Sequence, residues 1–382
     1  MLFNSIEFAF FLPIVFLLYW FVTKGNIKFQ NVLIVIASYT FYGWWDWRFL
    51  LLMLISTLAD YFIGIALSKL SDSRKRKAML WISVLINIGL LVFFKYYNFF
   101  IESFSQTFTL LGMPFEPYIL NVILPVGISF YTFQTLSYSI DVYKGKVTAT
   151  KDIIAFAGFV SFFPQLVAGP IERANDLLPQ FLKKRTFNYS KAVDGLRQIL
   201  WGMFKKVAIA DNCGQYVNYI FEDYSEMAGS TLAIGAILFS IQVYGDFSGY
   251  SDIAIGTARL FGFNLKQNFA FPYFSRNMNE MWNRWHISLT NWFRDYIYFP
   301  LGGSRKGTWR RVRNTVIVFV VSGLWHGANW TFLTWGITHA ILLLSVYFFS
   351  GKKQYSTGVV AENSIFPSLK EILLMGRTMI IW

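Results

Sequence analysis

Apolar runs recur along the whole of this chain, at 6–22, 29–44, 49–67, 78–94, 119–140, 153–168, 228–245 and 331–349. Several approach the ~20 residues that an α-helix needs to cross a ~30 Å hydrocarbon core. No soluble domain of 382 residues hides so many uniformly apolar helices. The expected fold class is therefore an all-α polytopic membrane protein. Charge content agrees: Asp, Glu, Lys and Arg make up 14% of the chain, against about 25% in an ordinary soluble domain. The run at 6–22 has no basic residue before it and no small-residue cleavage site after it, so it reads as a retained span rather than a signal peptide.

A net charge of +13 raises the question of nucleic acid. The basic residues sit instead in short segments between apolar runs: Lys24 and Lys28; Lys69 and Arg74–Lys77; Lys183–Arg185; and Arg305, Lys306, Arg310, Arg311 and Arg313. That is the pattern of the positive-inside rule. It predicts a multi-pass protein with 69–77 and 304–313 in the cytoplasm and Met1 outside. No basic, aromatic stripe on a soluble module supports nucleic-acid binding. The single cysteine, Cys213, excludes an internal disulfide and a cysteine-based metal cluster. No H-E-x-x-H or comparable metal-ligand spacing occurs, so no metal site is expected. With no second soluble module, the chain is expected to be one membrane-embedded domain over 1–382. "EILLMGRTMIIW" begins an apolar segment at Glu371 and stops after 12 residues, which reads as a C-terminal truncation.

Polar residues at membrane depth are costly and therefore informative. Four stretches carry them: 125–145, with Gln134; 242–256, with Asp246 and Asp252; 279–303, with His286; and 322–330, with Trp325, His326 and Asn329. In 279–303, Trp282, Trp285, Leu289, Trp292, Phe293 and Tyr296 repeat at helical spacing, and Pro300 ends the segment. An interfacial amphipathic helix is expected there. His286 falls on its apolar face, where a lone histidine is usually a packing residue. Twelve residues separate Arg313 from His326; as a helix they reach about 18 Å, somewhat past mid-membrane. Gly323 and Gly327 flank this imidazole and allow a bend or the close approach of another backbone. His339 lies mid-helix and reads as packing.

Seven blocks occur in order: "MLFNSIEFAFFLPIVFLLYW", "ASYTFYGWW", "PVGISFYTFQTLSYSIDVY", "FFPQLVAGPIER", "YGDFSGYSDIAIG", "WNRWHISLTNWFRDYIYFPLGG" and "SGLWHGANWTFLTWG". In these the whole chain resembles the membrane-bound O-acyltransferase family, in particular its bacterial branch of alginate O-acetyltransferase membrane subunits. It is more distantly similar to the D-alanyl transfer protein of teichoic acids. The resemblance implies transmembrane helices around a central tunnel, with His326 matching the family's active-site histidine and His286 its second motif histidine. It also implies a cytoplasmic acyl-CoA donor, acetyl-CoA in this branch, with no bound cofactor. An extracytoplasmic polysaccharide acceptor, reached through an extracytoplasmic acyltransferase partner protein, and a location in the bacterial inner membrane follow on the same terms. His326 is then the general base and His286 orients a reactant, with an acyl-histidine intermediate as the less favoured course. Gln134, Asp246, Asp252, Trp325 and Asn329 become candidate tunnel-lining groups, although caps or interhelical hydrogen bonds account for Gln134, Asp246 and Asp252 equally well. The rival classes are a transporter or flippase of a surface-glycan precursor, and a scaffold of a secretion complex. Many carriers show paired broken segments in two related halves; here the polar and histidine-bearing blocks crowd into 242–330.

Overall fold

A computed structural model gives the architecture and describes residues 1–121, 123–349, 360–362 and 364–382. Among these no β-strand occurs. The helices are α1 (Ile6–Leu17), α2 (Ile27–Gly43), α3 (Phe49–Lys69), α4 (Ser73–Leu91), α5 (Tyr97–Leu110), α6 (Ile128–Tyr143), α7 (Ile153–Ser161), α8 (Phe163–Leu166), α9 (Ala174–Leu182), α10 (Tyr189–Met203), α11 (Asp211–Glu222), α12 (Gly229–Leu260), α13 (Met278–Arg284), α14 (Ile287–Phe293), α15 (Thr308–His326), α16 (Trp330–Phe349) and α17 (Leu369–Ile381). Four π-helical turns continue or join them, at Leu18–Val22, Val92–Tyr96, Phe204–Ala210 and Arg294–Tyr298. Phe49–Lys69, Ser73–Leu110, Gly229–Leu260 and Trp330–Phe349 are long and apolar enough to cross a bilayer; Ile6–Val22 and Ile153–Leu166 are shorter apolar helices.

One expected run behaves differently. Residues 119–140 do not form a continuous helix: 113–121 and 123–125 are irregular, and α6 begins only at Ile128. Pro114, Pro117 and Pro125 interrupt any helical ladder there. Gly127 then makes the turn into α6 at φ 78°, where an added Cβ would lie 2.7 Å from the Leu166 carbonyl oxygen.

The chain divides into two compact units, the first formed by 1–88 and 125–267 and the second by 89–124 and 268–382. In the first, α10 and α12 cross so closely that their backbones touch at glycines: a Cβ on Gly202 would lie 2.6 Å from the Gly249 carbonyl oxygen, and one on Gly195 2.7 Å from that of Gly256. Small residues of this kind are what allow helices to pack where lipid removes the usual hydrophobic drive. The Arg76 side chain donates to the terminal carbonyls of α3, at Leu67 and at Leu70 (3.3 Å), and to that of Tyr143 in α6 (2.8 Å). It thereby satisfies acceptors that helix ends leave open. Asp60 of α3 is fully buried. Its carboxylate accepts from Ser83 (2.5 Å), Ser139 (2.5 Å) and Asn87 (2.6 Å), which ties α3 to α4 and α6.

In the second unit, the segment 279–303 is not one helix. α13 ends at Arg284, His286 adopts a left-handed conformation (φ 42°, ψ 54°), and α14 starts afresh at Ile287. A non-glycine residue at positive φ is strained and needs its surroundings to hold it. The expected amphipathic helix is thus broken at its histidine.

Candidate active site

α15 and α16 form a helical hairpin whose crossing is set by two glycines. A Cβ on Gly323 would collide with the Phe332 carbonyl oxygen, and one on Gly336 with that of Phe319. α15 stops at His326, and Gly327 is extended (φ −165°). The last carbonyls of a helix need partners, all the more so in a low-dielectric setting. Here they come from the π-helical turn Val92–Tyr96: the Lys95 ammonium donates to the Trp325 carbonyl and the Tyr96 hydroxyl to that of Leu324 (2.7 Å). Two residues remote in sequence thus hold the end of the helix that presents His326.

The second histidine is held from below its ring. His286 is 1% exposed, and its Nδ1 lies 3.1 Å from Oδ1 of the fully buried Asn268. The same Oδ1 accepts from the Ser288 amide N–H (3.3 Å) and hydroxyl (2.9 Å). A backbone N–H can only donate, so the Asn268 atom at this corner is the oxygen. Nδ1 of His286 therefore carries a proton, and the neutral ring keeps its lone pair on Nε2. The Trp325 ring stands between the two imidazoles, with its centroid 5.8 Å from that of His286 and 4.9 Å from that of His326.

Both histidines line one cavity of about 810 Å³, a volume in the range of small-molecule sites. α15 contributes Thr308, Arg311, Thr315, Phe319, Ser322 and His326 to the wall. These lie three or four residues apart, so they form one stripe along the helix. From Thr308 to His326 that stripe runs about 27 Å at ~1.5 Å per residue. Its composition is graded: Thr308 and Arg311 at the start of α15, Thr315, Val318, Phe319 and Ser322 along the middle, and the imidazole at the end; Arg294 joins the wall from the preceding π-helical turn. His326 is exposed, and neither of its ring nitrogens forms a hydrogen bond among the described residues. Trp335 packs edge-on against it at 4.9 Å, and Phe332 lies parallel to it at 6.5 Å. An accessible imidazole in such a wall can take a proton from a hydroxyl.

The residues singled out in the sequence fall into two groups. His286 and His326 line the cavity, and Trp325, buried and not itself in the wall, packs against both. Asn329 does not line the cavity; its side chain accepts from the Thr331 amide (2.9 Å) and hydroxyl (3.1 Å) and shapes the turn into α16. Gln134, Asp246 and Asp252 belong to the other unit and are not in this wall. Gln134 reaches the Phe159 carbonyl (3.4 Å), Asp246 pairs with Lys206 (2.6 Å), and Asp252 pairs with Lys205 (2.5 Å) and Gln198 (2.8 Å). His339 is packed among Trp282, Trp335 and Trp382 at 4.6–5.3 Å between ring centroids, outside the cavity lining. Three residues were not singled out: Asn268, Lys95 and Asp60. Asp60 was legible as a charge inside the run 49–67 and Lys95 as one at the end of 78–94, whereas Asn268 carries no such signal. Among the described residues no three His, Cys, Asp or Glu side chains are grouped to hold a metal ion.

Comparison with known proteins bears on this arrangement. Residues 36–357 match the sequence profile of the membrane-bound O-acyltransferase family. Over its whole length the chain is 39% identical to "Probable alginate O-acetylase AlgI" of Pseudomonas aeruginosa, covering 71% of that protein. It is 36% identical to the peptidoglycan O-acetyltransferase of Helicobacter pylori over 90% of the chain and 70% of that relative. A more distant likeness, 28% identity over 60% of each chain, joins it to the teichoic acid D-alanyltransferase of Bacillus subtilis.

Proposed function

The chain belongs to the membrane-bound O-acyltransferase family, and we propose that it moves an acetyl group from a cytoplasmic thioester donor to extracytoplasmic polysaccharide. Membership makes it a membrane-embedded O-acyltransferase; donor, acceptor, route and residue roles are the proposal. The observation that carries it is the graded stripe of α15, with Arg311 near one end and His326 at the other, in a single cavity that Arg294 also lines. A phosphate-bearing acyl-CoA would meet the guanidinium groups with its phosphates and direct its thioester toward the imidazole. The acceptor follows from relatives that acetylate alginate and peptidoglycan, and location in the bacterial inner membrane follows from a donor that is cytoplasmic.

In the proposed step, the acceptor hydroxyl oxygen attacks the thioester carbonyl carbon while its proton passes to His326. The carbon–sulfur bond then breaks, and the proton goes on to the departing thiolate. The acceptor is a polysaccharide hydroxyl, or a serine hydroxyl on an extracytoplasmic partner protein that passes the acetyl group on. General-base assistance of this kind contributes about 10²–10⁴-fold. Accessibility divides the roles: His326 is exposed in the cavity, whereas His286 is 1% exposed and fixed by Asn268. His286 therefore acts as an oriented acceptor at Nε2, steadying a reactant hydroxyl.

The test is direct. Sealed membrane vesicles of known orientation are given acetyl-labelled acetyl-CoA on the cytoplasmic side, together with the extracytoplasmic acceptor. Label should enter ester-linked polysaccharide on the opposite side. If label stays in the thioester pool, or arrives only when the donor is on the extracytoplasmic side, the proposed route is wrong.

A further inference from the structure

A second cavity, of about 300 Å³, lies in the unit formed by 1–88 and 125–267. Its wall holds Lys183, Lys184, Arg185, Lys191 and Arg259, beside Trp20 and Phe187. Five cations around a small cavity repel one another unless anions offset them. Among the described residues, only Arg259 of these five has a carboxylate partner, Asp194. Lys183, Lys184 and Lys191 are exposed and make no ion pair among the described residues. Arg185 is 6% exposed, and its guanidinium has only neutral partners: the Gln180 carbonyl (2.9 Å), the Asn31 side-chain oxygen (2.6 Å) and the face of Phe263 (4.7 Å). Its Nε forms no hydrogen bond. A guanidinium so deeply buried is normally paired.

The rim narrows the choice of anion. Trp20 and Phe187, both in the wall, meet edge to face at 5.5 Å, and Phe187 is half exposed. A polar, cationic pocket bordered by aromatic side chains matches an amphiphile whose anionic head enters and whose tails lie along the rim. Basic pockets beside membrane helices recognise phosphate head groups in this way, and guanidinium and ammonium groups are the side chains suited to phosphate oxygens. We propose that this cavity binds a phosphate ester, with the head group of an anionic phospholipid as its source. The proposal does not depend on the acyl-transfer reading of the other cavity.

The full chain, purified in a neutral detergent, is titrated separately with short-chain phosphatidylglycerol, phosphatidylcholine and inorganic phosphate, and binding is followed by native mass spectrometry. K183Q/K184Q/K191Q removes three exposed cations from the cavity, and R74Q/K75Q/K77Q removes three exposed cations elsewhere. Unchanged melting temperatures show that both variants fold. Phosphatidylglycerol should bind the parent and the distant triple variant alike, and the cavity variant at least about tenfold more weakly. Phosphatidylcholine should bind none of them selectively. Inorganic phosphate binding as tightly as phosphatidylglycerol would keep the site but assign it to a soluble phosphate ester. Equal binding of the two lipids, or equal weakening in both triple variants, would overturn the proposal.

Discussion

Replacing Asn268 by alanine should unseat His286, and the size of the effect can be worked out from its hydrogen bonds. Asn268 Oδ1 serves three donors: Nδ1–H of His286, and the amide and hydroxyl of Ser288. The hydroxyl can rotate to another acceptor, but the two N–H groups cannot. Asn268 is fully buried and His286 is 1% exposed. Each buried donor deprived of its acceptor costs about 1–3 kcal/mol, so N268A should lose roughly 2–6 kcal/mol. That is a large share of an ordinary protein's net stability of about 5–15 kcal/mol. The left-handed backbone at His286 would keep the Ile287 N–H bond to the Asn268 carbonyl (2.9 Å) but lose its side-chain anchor, and the imidazole would be free to move its proton to Nε2. N268D separates these effects, since a carboxylate accepts from the same three donors. The assay pairs thermal unfolding in detergent, followed by tryptophan emission, with turnover per folded molecule. N268A should melt earlier and turn over about 10²-fold more slowly, while N268D should recover the melting temperature and part of the turnover. An N268A protein with the parent's melting temperature and the parent's turnover would refute this account of His286.

H326A should insert at the parent's level and lose about 10²–10⁴ of its turnover, whereas H339F, in the tryptophan stack outside the cavity, should keep most of it; matched-membrane acetylation assays compare them, and an active H326A removes the base from the mechanism. Reporter fusions should show 69–77 and 304–313 in the cytoplasm and Met1 outside, and the opposite placement of both loops would overturn the assignment from basic residues. Burial pushes the Glu172 carboxyl up from its usual value of 4.5 to about 7, against the pull of a 2.6 Å hydrogen bond from the Lys266 amide. Because the folded value is the higher, the stabilisation is complete below pH 4.5 and is lost as pH rises through about 7, a change of about 3 kcal/mol at ~1.36 kcal/mol per pH unit. The stability difference between the parent and E172Q should follow that course between pH 5 and 8; a flat difference would place the titration elsewhere.

Where hydrophobic length alone decides, the sequence is a good guide. The runs 49–67 and 331–349 reappear as Phe49–Lys69 and Trp330–Phe349 almost residue for residue. The glycine beside His326 was also readable, since Gly323 is where another backbone approaches. Two features escaped for physical reasons. Periodicity in 279–303 is continuous across His286, yet the chain breaks there because Asn268, 18 residues upstream, offers a better set of hydrogen bonds than a continued helix. No local pattern encodes that competition. Similarly, Gln134, Asp246 and Asp252 stand out as polar at depth, but a sequence does not reveal whether a polar side chain faces a partner or a cavity. These three face partners.

A π-helical turn is an α-helix carrying one residue more than its ladder needs. Val92–Tyr96 is such a turn, and the surplus is what aims Lys95 and Tyr96 at the carbonyls of Trp325 and Leu324. Deleting a single residue there would remove that surplus, close the wide turn to an α-helical one and carry both donors away from the end of α15. Substitution within the turn changes one contact, whereas deletion removes the wide turn that aims two of them. In homologous chains the length of this segment should therefore be held more strictly than its spelling.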